Sequence, residues 1–292
     1  MTRYRVKHVT RYQYVEPVTV SHNVLHLSPM STPRQQVENF SCVVVPTPAV
    51  FHQRTDYFGN RVDSFTIQEQ HTELIVTVES ILNVNAAFAL DATVTEAWEK
   101  ARDRLLQADT DEVLAAVEYS FESRMIPTGE DYAAYAAQSF TVGRPLLEAA
   151  LDLTVRINRD FIYDAKATAV TTTVPEVFAQ RRGVCQDFAH VGLACLRSIG
   201  LAARYVSGYL ETDPPPGQVK LVGVDASHAW LSIWYPGVGW IGFDPTNACL
   251  VGDRHLIVAV GRDFSDVSPT KGVILGGGTH EVQATVDVAR ID

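Results

Sequence analysis

Near residue 85 the hydrophobic pattern of this chain changes period, and no single type of secondary structure can bury both halves. From Arg3 to about Asn85, the runs "YRVKHVTRYQY", "QVENFSCVVVP", "RVDSFTI" and "ELIVTVESIL" alternate apolar and polar residues and are rich in Val, Thr and aromatics. A repeat of two buries one face of a strand, so this region reads as an all-β unit. Gly59-Asn60, inside "TDYFGNRVDSF", sits between two such runs, and both residue types tolerate positive φ, which predicts a tight hairpin. From Asp91 to about Asp164 apolar residues recur at three and four. "ATVTEAWEKARDRLLQ" and "DEVLAAVEYS" read as helices, and "VGRPLLEAALDLTVRINRDFIYD" as a longer one with Pro145 in its first turn.

The 292 residues exceed the length of a typical domain of about 150, which leaves room for more than one core. The change of period therefore predicts separate hydrophobic cores: a β-rich N-terminal domain over 1–88, a helix-and-sheet core over 89–265, and a strand segment over 266–292. In that last segment "HEVQATVDVARI" alternates again after Gly276-Gly277-Gly278, and it could pack on either unit. Within the core, "TDPPPGQVKLVG" (212–223) reads as a loop. "HAWLSIWYPGVGWIGFDPTNA" reads as two strands joined at Pro236-Gly237-Val238-Gly239.

Chemistry concentrates in "RRGVCQDFAHVGLACLRSIGLAARYVSGYL" (181–210). Gly183 permits a tight entry, Phe188, Val191, Leu196 and Ile199 recur at near-helical spacing, and Gly200 suits a C-cap. Cys185 thus falls in the first turn of a helix. There, unpaired N–H groups and the positive end of the helix dipole favour a thiolate and can receive an oxyanion. A cysteine beside an apolar helix is ordinarily core packing, and Cys195, among Leu193, Ala194 and Leu196, reads that way. Cys185 departs from that reading because a histidine and an aspartate follow at useful places. His228 opens one predicted strand and Asp244 closes the next, so an antiparallel pairing brings imidazole and carboxylate face to face. A sulfur at a helix terminus, a base on one strand and an orienting carboxylate on its neighbour make a nucleophilic triad. Zinc at Cys185, His190 and His228 is a rival that no ligand spacing recommends.

"GVCQDFAH", "SHAW" and "GWIGFDPTNA", in this order, resemble the transglutaminase-like superfamily of cysteine peptidases and transglutaminases. "DYFGN" within residues 1–85 and "VAVGRDFSDVSPTKGVILGGG" look like the β-rich N-terminal region and C-terminal segment of its bacterial members. The resemblance implies an α+β, papain-like (transglutaminase-core) helix-plus-antiparallel-sheet domain behind an N-terminal all-β domain. It implies Cys185 as nucleophile, His228 as general base and acid, and Asp244 as the group that holds the imidazole. Animal transglutaminases add calcium and an upstream tryptophan that donates to the oxyanion. Here "FAQRRGV" precedes Cys185, Trp98 lies far upstream and no calcium loop occurs, so hydrolysis of a peptide or carboxamide is expected ahead of transfer to an amine. A non-catalytic peptide-binding module on the same fold is the third possibility.

Gln180 is a candidate second oxyanion donor, since papain-like enzymes place a glutamine shortly before the nucleophile, and Gln186 adjoins the nucleophile. Asp187 and His190, three apart, read as partners that fix the helix, with a second acid–base pair as the alternative. Trp230, Trp234, Trp240 and Tyr209 read mainly as packing. Trp230, two residues from His228 on the same strand face, and Tyr209 are the aromatic candidates for substrate contact.

Charge and composition narrow the partners. A formal net charge of −10 disfavours nucleic acid and anionic membrane surfaces, and no apolar run approaches the length of a membrane span. The four cysteines form no CxxC pair, and the N-terminal residues lack a secretory h-region, so reduced thiols and a cytoplasmic location are expected. The expected partner is a peptide or protein substrate, with no cofactor and no metal.

Overall fold

The computed structural model describes residues 1–85, 91–213 and 227–291; most of the predicted loop at 212–223 lies outside them. The chain opens with β1 (Thr2–Leu25), β2 (Gln35–Val45), β3 (Val50–Thr55), β4 (Arg61–Ile67) and β5 (His71–Val84). Helices α1 (Trp98–Gln107), α2 (Asp111–Val117), α3 (Glu130–Ala137) and α4 (Leu146–Asp160) follow, then β6 (Ile162–Tyr163), α5 (Val174–Gln180), β7 (Arg182–Gly183) and α6 (Cys185–Ser198). The sequence closes with β8 (Ala203–Leu210), β9 (Ser227–Tyr235), β10 (Gly239–Asp244), β11 (Cys249–Leu250), β12 (His255–Gly261), α7 (Phe264–Val267), β13 (Thr270–Gly276) and β14 (His280–Arg290). None of the helices among the described residues is long and apolar enough to cross a membrane.

β1 is the spine of a seven-stranded antiparallel sheet ordered β2-β5-β1-β4-β3, and β13 and β14 also pair with β1. Its 24 residues serve two sets of neighbours. Thr2 to Gln13 lie against β5, and Tyr4 to Tyr14 against β14; Val18 to Leu25 lie against β13, and Ser21 to Leu25 against β4. The change comes at Pro17, which has no N–H to give a ladder, and the register shifts on both sides of it. Gly276, Gly277 and Gly278 all take positive φ and reverse the chain at this break, where Gly277 N–H donates to the Pro17 carbonyl. That turn places the C-terminal strands on the N-terminal sheet, one of the two alternatives open in the sequence.

A second antiparallel sheet, ordered β11-β10-β9-β8-β12, carries α6 on one face. Contact is close because Gly192 of α6 has no side chain: a Cβ there would stand 2.4 Å from Cδ2 of Leu231 on β9.

The expectation of separate cores needs correction. Tyr14, Val18, Phe65, Leu74 and Val76 form a core within the N-terminal sheet. Tyr4, Val6, Leu82, Val84, Val286 and Val288, however, pack in one cluster with α4, α6 and β8. Alternation tells that a strand buries one face, but not what covers it. Polar groups seal the same junction. His8 Nδ1 and the Tyr209 hydroxyl are 2.9 Å apart, and Arg290 makes a paired contact with Glu211, to which the Tyr4 hydroxyl also donates.

β12 would otherwise leave its outer ladder groups bare as an edge strand. Two amides from the N-terminal region cover it. Gln35 donates to the Ile257 carbonyl at 2.7 Å and accepts from Ile257 N–H at 2.9 Å. Asn60 does the same to Val260, at 2.8 Å in each direction. The predicted hairpin is present, and Gly59 supplies its positive φ of 82°; Asn60 does not share that conformation but is fully buried as this clamp. Asn60→Leu removes the partners of two buried backbone groups and is expected to lower stability by on the order of 3 kcal/mol, read from urea unfolding against wild type.

Candidate active site

Cys185 is the first residue of α6, entered from α5 through β7, which pairs in parallel with β6 so that Gly183 lies beside Tyr163. Gly183 is required for space and not for positive φ: a Cβ on it would stand 2.5 Å from Oδ2 of Asp187. That oxygen accepts from Val184 N–H at 2.8 Å and from the Thr168 hydroxyl at 2.6 Å, tying down the helix entry. Burial raises the Asp187 proton affinity, and these two hydrogen bonds pull it back. The N–H groups of Cys185, Gln186 and Asp187 have no carbonyl one turn back to bond to, and they are the helix's free donors beside the sulfur.

His190 is fixed differently. Its Nε2 accepts from Phe264 N–H at 3.2 Å, its ring packs on Tyr205, and burial lowers its pKa to about 4, so it is neutral. Asp187 and His190 therefore anchor α6 through separate partners.

His228 is the second residue of β9, opposite Gly208 of β8. Its Nε2 lies 2.7 Å from Oδ2 of Asp244, and the Cys185 thiol also acts on the ring. Asp244 is fully buried, and its carboxylate collects five donors. Oδ1 accepts from the N–H groups of Thr246 and Asn247, at 2.9 and 3.2 Å. Oδ2 accepts from His228, from Nδ2 of Asn247 at 2.7 Å and from Nε2 of His255 at 3.0 Å. Burial opposes the charge on Asp244, but the bonds to His228 and His255 outweigh it and hold the carboxyl well below its ordinary range. Burial likewise opposes a charged His228, yet Asp244 and then Cys185 reverse the balance and raise its pKa to about 9. A carboxylate that stays ionised beside an imidazole that holds its proton keeps a positive charge on the His228 ring.

Trp230 does not line an open cleft. It is fully buried, its ring 6.0 Å from that of His228 and 5.3 Å from that of His255, so it serves as a floor beneath both imidazoles. Tyr209, also buried, is engaged with His8 at the junction of the sheets. Trp234 packs with Leu105, Ala116 and Ala202, with Trp240 against the same cluster. Gln180 is exposed at the end of α5, and none of the hydrogen bonds found among the described residues joins it to the triad; Gln186 is half-buried in the first turn of α6.

Two members of the site escaped the sequence reading. Asn247 was within reach of it, because an aspartate that accepts backbone N–H groups two and three residues on is a local turn motif, present here in "DPTN". His255 gave no local signal. Gly208 between β9 and β12 lets Trp230 and His255 close over β8: a Cβ there would stand 2.2 Å from the Leu256 carbonyl and 2.4 Å from the Trp230 ring. His228, Asp244 and His255 present ligand atoms within 4.8 Å of one another, the set a metal ion would use among the described residues. Their hydrogen bonds run between themselves, and an ion would have to displace the protons both rings give to Asp244.

Comparison with known proteins converges on the same region. Residues 4–83 match the bacterial transglutaminase-like N-terminal region, and residues 133–245 match the transglutaminase-like superfamily. The uncharacterized protein Rv2569c of Mycobacterium tuberculosis is 39% identical over 294 residues, covering 98% of this chain and 91% of its own. A protein-glutamine gamma-glutamyltransferase of Pseudomonas aeruginosa is 36% identical over 95 residues, 31% of this chain and 14% of that protein. A solved structure from Cytophaga hutchinsonii, described as a "putative cysteine protease", superposes with a TM-score of 0.78 at 20% identity, over all of this chain and 91% of that one. Fold and site define an α+β, papain-like protein of the transglutaminase-core type. The chain belongs to the transglutaminase-like superfamily, a family of thiol-dependent acyl transfer.

Proposed function

We propose that this protein is a cysteine peptidase or amidase that attacks a peptide or carboxamide carbonyl through Cys185, His228 and Asp244. One observation carries the reading: the sulfur opens a helix and acts on an imidazole whose Nε2 is held by a fully buried carboxylate. The thiolate adds to the carbonyl carbon, and the oxyanion is received by first-turn N–H groups of α6. The His228 imidazolium then protonates the leaving amine as the C–N bond breaks, which leaves a thioester on Cys185. Neutral His228 next takes a proton from water and the hydroxide adds to the thioester; the C–S bond then breaks, releasing the acid and leaving the thiolate beside the reprotonated His228.

Water as the acceptor is supported by the setting of the thiol. Tyr163 and Ile162, beside the helix entry, are more than half exposed, so this side of the site is open to solvent. A second reading, transfer to an amine, is favoured by the likeness to the Pseudomonas gamma-glutamyltransferase over its 95 residues. Mass analysis of a peptide pool incubated with the protein and a primary amine separates them by whether the acid or the amine-linked product forms. For location we propose the cytoplasm, supported by four cysteines that are all free.

The site is tested without a substrate by iodoacetamide labelling, which reads thiolate. Burial raises the Cys42 and Cys249 thiols to about 11 and Cys195 to about 12, so these three are protonated near neutral pH. Cys185 is expected to label first by mass-spectrometric mapping, and to slow in His228→Ala. Labelling of Cys185 no faster than Cys42 or Cys249 would overturn the enzyme reading and favour a peptide-binding module.

A further inference from the structure

We infer that His255 is a positioning residue for this site: a neutral imidazole that aims the Asp244 carboxylate at His228 by donating to the same oxygen. The inference rests on the roles proposed above for Cys185, His228 and Asp244.

The tautomer follows from the neighbours. Gly252 N–H points at Nδ1 of His255 at 3.3 Å, so that nitrogen offers a lone pair and cannot carry a proton. The proton therefore sits on Nε2, 3.0 Å from Oδ2 of Asp244, and the ring is an uncharged donor. The ring is buried and packed edge-on against Trp230 at 5.3 Å, which prevents the flip that would turn a carbon towards the carboxylate.

Oδ2 thus stands between two imidazoles with different tasks. His228 meets the thiol and exchanges a proton with it; His255 has no contact with the reacting atoms and fixes the direction from which His228 is held. Thr246 and Asn247 secure Oδ1, but among the side chains that donate to Oδ2 only Asn247 would remain beside His228 if the His255 donor were lost. Asn247 is exposed, so its bond is open to competition from water. The titratable groups facing this cluster are His228 from β9 and Asp244 from β10, with Cys185 of α6 beyond the first and Cys249 of β11 near the second. On the loop into β12, Arg254 turns away to Glu211 and Asp213, and Asp253 faces Arg34.

The test measures the pH dependence of Cys185 alkylation by iodoacetamide in wild type, in His255→Phe and His255→Met, which lack the donor, and in His255→Gln, which keeps an N–H. Both donorless variants are expected to alkylate more slowly near neutral pH by on the order of tenfold, as partners one bond removed from a reacting group typically do. The limb on which their alkylation rises with pH should move up from its wild-type position, and His255→Gln should restore both. Wild-type rates and limb in the donorless variants would overturn the inference. So would a folded His255→Gln as slow as they are, since packing alone would then explain the loss. Nitrogen-15 NMR of the wild-type His255 ring needs no variant: the Nε2–H neutral tautomer near neutral pH is expected, and a ring protonated on Nδ1 would overturn the inference. Failure of the triad reading shows separately, as a wild-type Cys185 that is not hyperreactive.

Discussion

Cys185→Ala is expected to turn over no amide or peptide substrate, and His228→Ala to lose nearly as much, on the order of 10³-fold or more in kcat/KM. The size of the effect follows from the geometry. Cys185 is the thiol that acts on His228, and burial leaves Cys42, Cys195 and Cys249 with raised proton affinities. Without the imidazole the sulfur loses its proton acceptor, and the leaving amine loses its donor. The two losses should not add in the double variant, because both groups act in the same step. Kinetics on the three variants, with folding checked by circular dichroism, tests this; a folded Cys185→Ala protein with wild-type turnover would place the chemistry elsewhere.

The second large effect is in the pH profile. His228 binds its proton up to about pH 9, so the alkaline limb of activity should fall there, as the imidazolium that protonates the leaving group is lost. In Asp244→Asn the largest support for that charge is gone, and the limb should move down towards the ordinary histidine value of 6.5. Turnover should drop by on the order of 10 to 10³-fold, less than for Cys185→Ala, because the carboxylate orients the ring and takes no proton itself. Stability should respond as well. The folded-state affinity of His228 lies above its unfolded value, so its contribution is complete below pH 6.5 and disappears as pH rises through about 9. Asp244 is displaced the other way, so its contribution is present above the ordinary carboxylate range and is lost in acid. Wild type should therefore show a stability plateau between these limits. Asp244→Asn should flatten it, since an amide nitrogen would face the donors that the carboxylate oxygens now accept. Urea midpoints across pH, with activity measured on the same samples, provide the comparison; an alkaline limb unchanged in Asp244→Asn would remove Asp244 from the orienting role.

Much of this was legible along the chain. Alternation over β1, β2, β4 and β5 and the three-and-four spacing over α1, α2 and α4 named those elements, because both periods are local consequences of which face is buried. Cys185, His228 and Asp244 were legible for a related reason: each sits at the end of an element, and the antiparallel pairing of β9 with β10 brings the last two together. Trp230 was read mainly as packing and is fully buried; its alternative, substrate contact, rested on a strand position near His228, which says which face a ring shares and not whether solvent reaches that face.

The sequence alone determined the two textures, the helix that Cys185 opens and the hairpin that holds His228 and Asp244, all of which depend on neighbours a few residues apart. Tertiary structure alone decided the rest. It placed β13 and β14 on the N-terminal sheet, merged part of that sheet with the helix-and-sheet core, turned Gln35 and Asn60 into covers for β12, and brought His255 to Asp244 across Gly208. These contacts join residues far apart in the chain, and what selects them is the close packing of two sheets and the need of buried polar groups for partners, neither of which leaves a periodic trace in the sequence.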